Sequence, residues 1–196
     1  MRKTKGRPKS FNESEVLALA MNYFWEHGYD NASLDNLLEV MGIKKSSFYH
    51  TFKSKEELFS RCLELYRKTN AEELLALKNE IGPKKTMLEL TNMKLKELKE
   101  TGKVKGCLIV NSGKESYLKY KDLNEQIGRE FLFLQDMFAN IVKEAQEKGE
   151  IKSKKDSKIL ASRYMNSLNG LILTIQAGAR QEMIDDLVES LKEIIE

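Results

Sequence analysis

The sequence predicts an all-α fold of about nine helices, with an N-terminal three-helix unit followed by a larger helical domain. Three observations predict it. Only two prolines and 11 glycines interrupt 196 residues, which leaves room for long helices. Lys, Glu and Leu dominate the usage, and all three favour helix. Apolar residues recur at steps of three and four in most segments, the spacing that lines one face of a helix. At 41% hydrophobic and 32% charged, the chain is globular and able to bury a core.

Residues 1–10 carry Arg2, Lys3, Lys5, Arg7 and Lys9 beside Gly6 and Pro8. This is the make-up of a flexible basic arm, either a solubilising tail or a strand that follows phosphates or a minor groove. The first helix opens at Asn12, with Glu15 placed to close a capping box and Phe11 to staple onto Val16. Val16, Leu17, Ala20 and Phe24 line one face, and Gly28 ends the helix. Ser33 caps the second helix, whose apolar face is Leu34, Leu37, Leu38 and Met41. Gly42 stops it, because glycine accepts the left-handed conformation a helix end often needs. A third short helix carries Lys44, Lys45, Ser46, Ser47, Tyr49 and His50 around one buried Phe48. Ser54 and Glu57 then open a fourth helix with the stripe Leu58, Phe59, Cys62, Leu65 and Tyr66; it runs to about Asn79, before Ile81-Gly82-Pro83.

Residues 33–52 therefore read as a helix-turn-helix. A small apolar anchor among hydroxyls, a phenol and cations suits a helix laid on DNA. The net charge of +3 is too small to argue for nucleic acid, but its distribution is informative. The basic arm precedes the first acid, Glu13, and Lys44, Lys45, Lys53 and Lys55 fall in an acid-free run between Glu39 and Glu56. These clusters bracket the proposed DNA-facing unit. The expected division is a basic arm at 1–10, a helix-turn-helix DNA-binding domain at 11–55 and a ligand-binding and dimerisation domain at 56–196, joined by continuous helix.

In the larger domain, residues 84–100 form a helix with Met87, Leu88, Leu90, Leu95 and Leu98 on one face. After a loop, residues 106–115 are short and very apolar, with Ser112-Gly113 as an interruption. Residues 121–148 form one long helix through Leu123, Ile127, Phe131, Leu134, Phe138, Ile141 and Ala145. The run from Phe131 to Leu134 is apolar nearly all round, which predicts enclosure by other helices. Residues 156–178 have a core face of Leu160, Tyr164, Leu168, Leu171 and Ile175. Their second face, Ser167, Gly170, Thr174 and Ala177, consists of small residues that let another helix approach. The last helix, 180–195, offers Ile184, Leu187, Leu191 and then Ile194 or Ile195. This is more apolar surface than one domain needs. It predicts a homodimer interface built from Ser167, Gly170, Thr174, Ala177, Ile184, Leu187 and Leu191, with packing inside one chain as the alternative.

Other classes are excluded. Both histidines, His27 and His50, fall in the DNA-facing unit. The larger domain has no metal-ligand cluster, glycine-rich phosphate loop or Ser-His-Asp candidate, so neither enzymatic activity nor a cofactor or metal is expected. Cys62 and Cys107 make no disulfide framework. No apolar segment follows the basic start and no run approaches a membrane span, so the expectation is a cytoplasmic protein with no membrane partner.

Residues 11–59 closely resemble the three-helix DNA-binding domain of TetR-type transcriptional regulators and the start of their fourth helix. Phe24, Gly28-Tyr29, Ser33-Leu34, Leu37, Gly42-Ile43, Phe48-Tyr49-His50, Phe52 and Lys55 carry the resemblance. Gly106-Cys107-Leu108, with Asn111 and Glu115, is similar to a subgroup whose sixth helix opens alike. Two positions depart from the pattern. Lys44 stands where the family usually has a capping Ser or Thr, and Thr51 replaces an aromatic. The resemblance implies that Lys45, Ser46 and Ser47 face base edges and backbone in the major groove of double-stranded DNA. It also implies that Tyr49, His50, Lys55 and Ser33 hold phosphates, and Lys44 stands to gain a phosphate contact there. A repressor is the family's default.

Two sensing devices are legible beyond residue 60. One is an apolar pocket near Met93, Phe131, Leu134, Phe138 and Met165 for a hydrophobic inducer, the alternative being a filled core. The other is Cys107 as a redox sensor: at a helix start, behind Lys103 and Lys105, dipoles and cations favour thiolate. The alternative is a small buried cysteine, which is the reading for Cys62. The expected mechanism is a homodimer on a palindromic operator whose half-site spacing is lost when inducer or oxidant favours a second state. The alternative function is an architectural DNA-binding or helical interaction protein without an inducer.

Overall fold

Ser33 and Gly42 frame a helix of eight residues. The Ser33 hydroxyl accepts the Asn36 amide at 3.2 Å, and Gly42 adopts φ 64° with its amide on the Glu39 carbonyl at 3.1 Å. The computed structural model describes residues 11–116 and 119–196, and the expected arm of residues 1–10 lies outside them. Among the described residues the order is α1 (Glu13–Asn31), α2 (Leu34–Met41), α3 (Lys45–Phe52), α4 (Lys55–Ile81), α5 (Pro83–Thr101), α6 (Leu108–Ser116), α7 (Lys121–Glu147), α8 (Ser157–Gln176) and α9 (Gln181–Glu193). The chain divides into two compact units, one ending at Tyr66 and the other running Arg67–Glu196.

In the first unit, Asn12 caps α1 by accepting the Ser14 amide, and its side-chain amide donates to Glu15 at 2.9 Å. Gly28 breaks the helix where expected, with non-helical backbone angles. At φ 79° and ψ 166° it separates the main helix from a short helical turn that reaches Asn31. The kink turns Tyr29 inward, where its ring meets Phe59 at 5.0 Å and Phe24 at 6.0 Å. Phe24, Leu37, Phe48, Phe52, Leu58 and Phe59 close the core. Ser54 caps α4, accepting the Glu57 amide at 3.1 Å.

In the second unit, Gly82 at φ 89° precedes Pro83 at the first position of α5, where a missing amide hydrogen costs nothing. One core cluster gathers Leu74, Met87, Val142, Ala145, Leu160, Tyr164, Leu191 and Ile195. A second gathers Val104, Leu171, Ile172, Ile175, Ile184 and Val188. The buried Tyr164 hydroxyl donates to the Met87 carbonyl, so its burial leaves no polar atom unsatisfied. Buried Glu130 lies 3.2 Å from the Arg67 guanidinium, which also stands over the Phe133 ring at 4.8 Å.

Two expectations fail here. Ser112-Gly113 does not interrupt α6: Ser112 returns its hydroxyl to the Leu108 carbonyl at 2.7 Å, and Gly113 sits inside the helix facing Ile127 and Phe131 of α7. The run Phe131–Leu134 is not enclosed. Phe131 and Phe133 are each 36% exposed and Leu132 is 62% exposed, because α7 packs through Leu123, Ile127, Glu130 and Ile141 instead.

Candidate nucleic-acid interface

Two phenylalanines fix how α3 presents itself. Phe48 and Phe52 are fully buried one helical turn apart, with ring centroids 5.8 Å apart. The opposite face is thereby turned outward, and along it Lys45, Ser46, Tyr49 and His50 are exposed while Ser47 is half-buried. Tyr49 stacks edge-on against Phe48 at 5.3 Å yet leaves 49% of itself in solvent. That geometry holds the ring and leaves the phenol outward. The single anchor expected from sequence is thus a pair.

The α3 N-terminus is open. Lys44 occupies the capping position with extended backbone and makes no side-chain cap bond, and its carbonyl accepts the Phe48 amide at 3.0 Å. The first amides of α3 therefore receive no cap from the Lys44 side chain, and Lys44 and Lys45 are both exposed beside them. Such a terminus attracts phosphate. Ser33, at the start of α2, uses its lone pairs as a cap, which leaves the hydroxyl hydrogen to donate. The Lys55 ammonium sits 4.4 Å from the centre of the Tyr29 ring, so a half-buried stem carries its charge. Lys53 is not among the DNA-contact residues that the sequence leads one to expect. It is exposed just past α3 and is the one non-glycine residue at positive φ among those described.

The unit is braced around this face. Arg61 of α4 bonds Glu13 of α1 at 2.9 Å and Glu57 at 3.1 Å, and its guanidinium lies 5.5 Å from the Phe52 ring. Tyr23 stacks on His27 at 4.1 Å, and its hydroxyl accepts the Asn36 side chain, which ties α1 to α2. Neither brace was legible, because each joins residues distant in sequence. Cys62 is buried here with its thiol 3.8 Å from the Leu17 carbonyl; burial pushes its pKa far up, so it is an inert core cysteine.

Of the five expected pocket residues in the second unit, Phe131 and Met165 line one depression together. Met93 is 50% exposed, and Phe138 packs on Tyr164 at 5.7 Å as part of the core. Phe131 and Met165 line a shallow depression of 220 Å³ with Leu132 and Asn166, and half-buried Leu134 is not part of it. A separate groove of 260 Å³ runs between α4 and α7, with Ala71, Leu75, Phe133, Met137 and Ile141 as its apolar walls and the Lys78–Glu144 ion pair on its rim. Cys107 is half-buried and free, and its carbonyl accepts the Asn111 amide to start α6. Of the expected interface, Gly170 and Ala177 are exposed and Ser167 and Thr174 half-buried on α8. Ile184 and Leu191 are corrected: both are buried in their own chain's core, and Leu187 packs against it, so α9 turns its apolar stripe inward. Among the described residues no cluster of His, Cys, Asp and Glu can hold a metal, and no helix is long and apolar enough to cross a membrane.

The pattern of bacterial regulatory proteins of the tetR family matches residues 16–62, and that of the tetracyclin repressor-like C-terminal domain matches residues 85–191. The chain belongs to the TetR family. TetR-family proteins are DNA-binding transcriptional regulators and not enzymes. A relative over nearly the whole length is the uncharacterized HTH-type transcriptional regulator YezE of Bacillus subtilis, 28% identical over 179 residues, which are 91% of this chain and 92% of that protein. The transcriptional repressor ComR of Escherichia coli is 42% identical over 66 residues, covering 34% of this chain and 31% of ComR. Among solved structures, a cysteine mutant of the TetR-family regulator CifR complexed with a 26-bp double-strand operator DNA shares the fold at a TM-score of 0.79. The two are 24% identical, over 95% of this chain and 98% of that one. The TetR-type domain thus contains the whole of α3 and its exposed polar face.

Proposed function

We propose that this TetR-family regulator is a cytoplasmic homodimeric repressor that holds a palindromic operator and is released by a small hydrophobic molecule or by modification of Cys107. The observation that carries the DNA reading is the exposed row Lys45, Ser46, Tyr49 and His50 above the buried Phe48–Phe52 pair. Lys45, Ser46 and Ser47 read base edges in the major groove, where Lys45 is the donor suited to guanine. Ser33, Lys44, Tyr49, His50 and Lys55 hold phosphates and set the register.

The division of labour follows the chain. Residues 11–55 bind DNA, and residues 56–196 bind inducer and the second subunit, with α4 common to both. The exposed α8 face, Gly170, Leu173 and Ala177 with half-buried Ser167 and Thr174, supports its use as the dimer contact. The groove between α4 and α7 is a second candidate site for an apolar inducer, because Ala71, Leu75, Phe133, Met137 and Ile141 line it beside Lys78, Asp136, Asn140 and Glu144. Cys107 is half-buried at the start of α6, a position that supports the thiol alternative.

The test is binding of the purified protein to the DNA upstream of its own gene, with a scrambled duplex as control. Hydrophobic compounds and hypochlorous acid are then added, to the wild type and to Cys107→Ser. Release by a compound supports the groove, and release by oxidant that Cys107→Ser abolishes supports the thiol. Equal affinity for both duplexes, unaffected by any addition, would instead mark an architectural DNA binder.

A further inference from the structure

Lys53 joins α3 to α4 in a conformation that lysine does not adopt freely. Its φ is 62° and ψ −47°, and the Ser54 amide donates across it to the Phe52 carbonyl at 2.6 Å. This is a γ-turn of the rare hand, which strains any residue with a Cβ. The turn cannot relax at either end: Phe52 is fully buried, and Ser54 is engaged as the cap of α4. Glycine forms such a turn without a Cβ clash. A charged residue in a place that favours glycine suggests that its side chain is what the position is for.

The placement says what for. The outward residues of α3 fall at 45, 46, 49 and 50, the spacing of one helical face, and Lys53 follows directly after the helix, exposed as they are. Lys53 is exposed, and no acid lies between Glu39 and Glu56 to neutralise that row. We propose that Lys53 is a DNA-phosphate contact, aimed by the strained turn so that the binding face of α3 extends one position beyond the helix. This rests on the DNA-binding reading above. A competing role is compensation of the negative C-terminal end of α3, which would act on folding and not on DNA.

The two roles separate in a salt series. Binding is measured on the duplex from upstream of the protein's own gene and on a scrambled duplex of equal length, for wild type, Lys53→Gln and Lys53→Gly. Lys53→Gln is expected to weaken both duplexes by a similar factor. Its plot of log affinity against log salt becomes shallower by about 1 for each lysine removed, with an unchanged melting temperature. Lys53→Gly is expected to lose the same affinity and to melt higher, since the strain goes with the side chain. Either variant binding with wild-type affinity and slope overturns the proposal. Wild-type protein that binds neither duplex sinks the DNA-binding reading and this proposal with it.

Discussion

At the scale of single residues, the proposed interface would separate contacts that position from contacts that read. Tyr49 and Lys55 are held by the rings of Phe48 and Tyr29, so neither is free to follow a base edge. Tyr49→Phe and Lys55→Ala should each weaken binding to all sequences alike, and a shift in base preference in a binding-site selection would contradict that assignment. Lys45→Ala should instead relax the preference at one operator position, by about 1–3 kcal/mol of discrimination. Lys44 offers a reciprocal test. Because α3 has no side-chain cap, Lys44→Ser should stabilise the unit by about 1 kcal/mol in urea unfolding, while operator affinity falls if the lysine holds a phosphate.

At the scale of elements, the local signals were legible in the sequence and the long-range ones were not. Asn12, Ser33, Gly42 and Ser54 frame their helices as read, because a cap is decided by a handful of neighbouring residues. The α3 face was legible for the same reason. Ser112-Gly113 misled because glycine next to serine resembles a loop, whereas here both residues continue the helix. A Cβ on Gly113 would stand 3.5 Å from Ile127 and Phe131, an ordinary contact distance. Gly113→Ala should therefore be accepted and gain helix propensity of up to about 1 kcal/mol. Gly113→Leu should destabilise the second unit by forcing α6 off α7, visible as a lower thermal midpoint.

At the scale of the whole molecule, an apolar pattern tells which residues leave water but not which neighbour covers them. Ile184 and Leu191 looked like interface and are core; Leu132, expected to be enclosed, and Leu173 are each 62% exposed. The distinction is measurable. Leu191→Ala should cost about 2–5 kcal/mol of subunit stability, as a large-to-small change in a packed core does. Leu173→Glu should leave the subunit folded and shift sedimentation towards monomer, with operator affinity falling in step.

The two cysteines also make the protein its own unfolding gauge. Cys107 is half-buried, but Cys62 is sealed within the N-terminal unit, and its thiol is held in the unreactive protonated form by burial. A maleimide or aromatic disulfide can reach Cys62 only in the moments when that unit opens. If opening costs about 5 kcal/mol, labelling of Cys62 slows by roughly four orders of magnitude against a free thiol. Mass spectrometry of the two peptides over time would then report the N-terminal unit's opening without denaturant, and operator DNA should lengthen the Cys62 lag by the ratio of total to DNA-free protein.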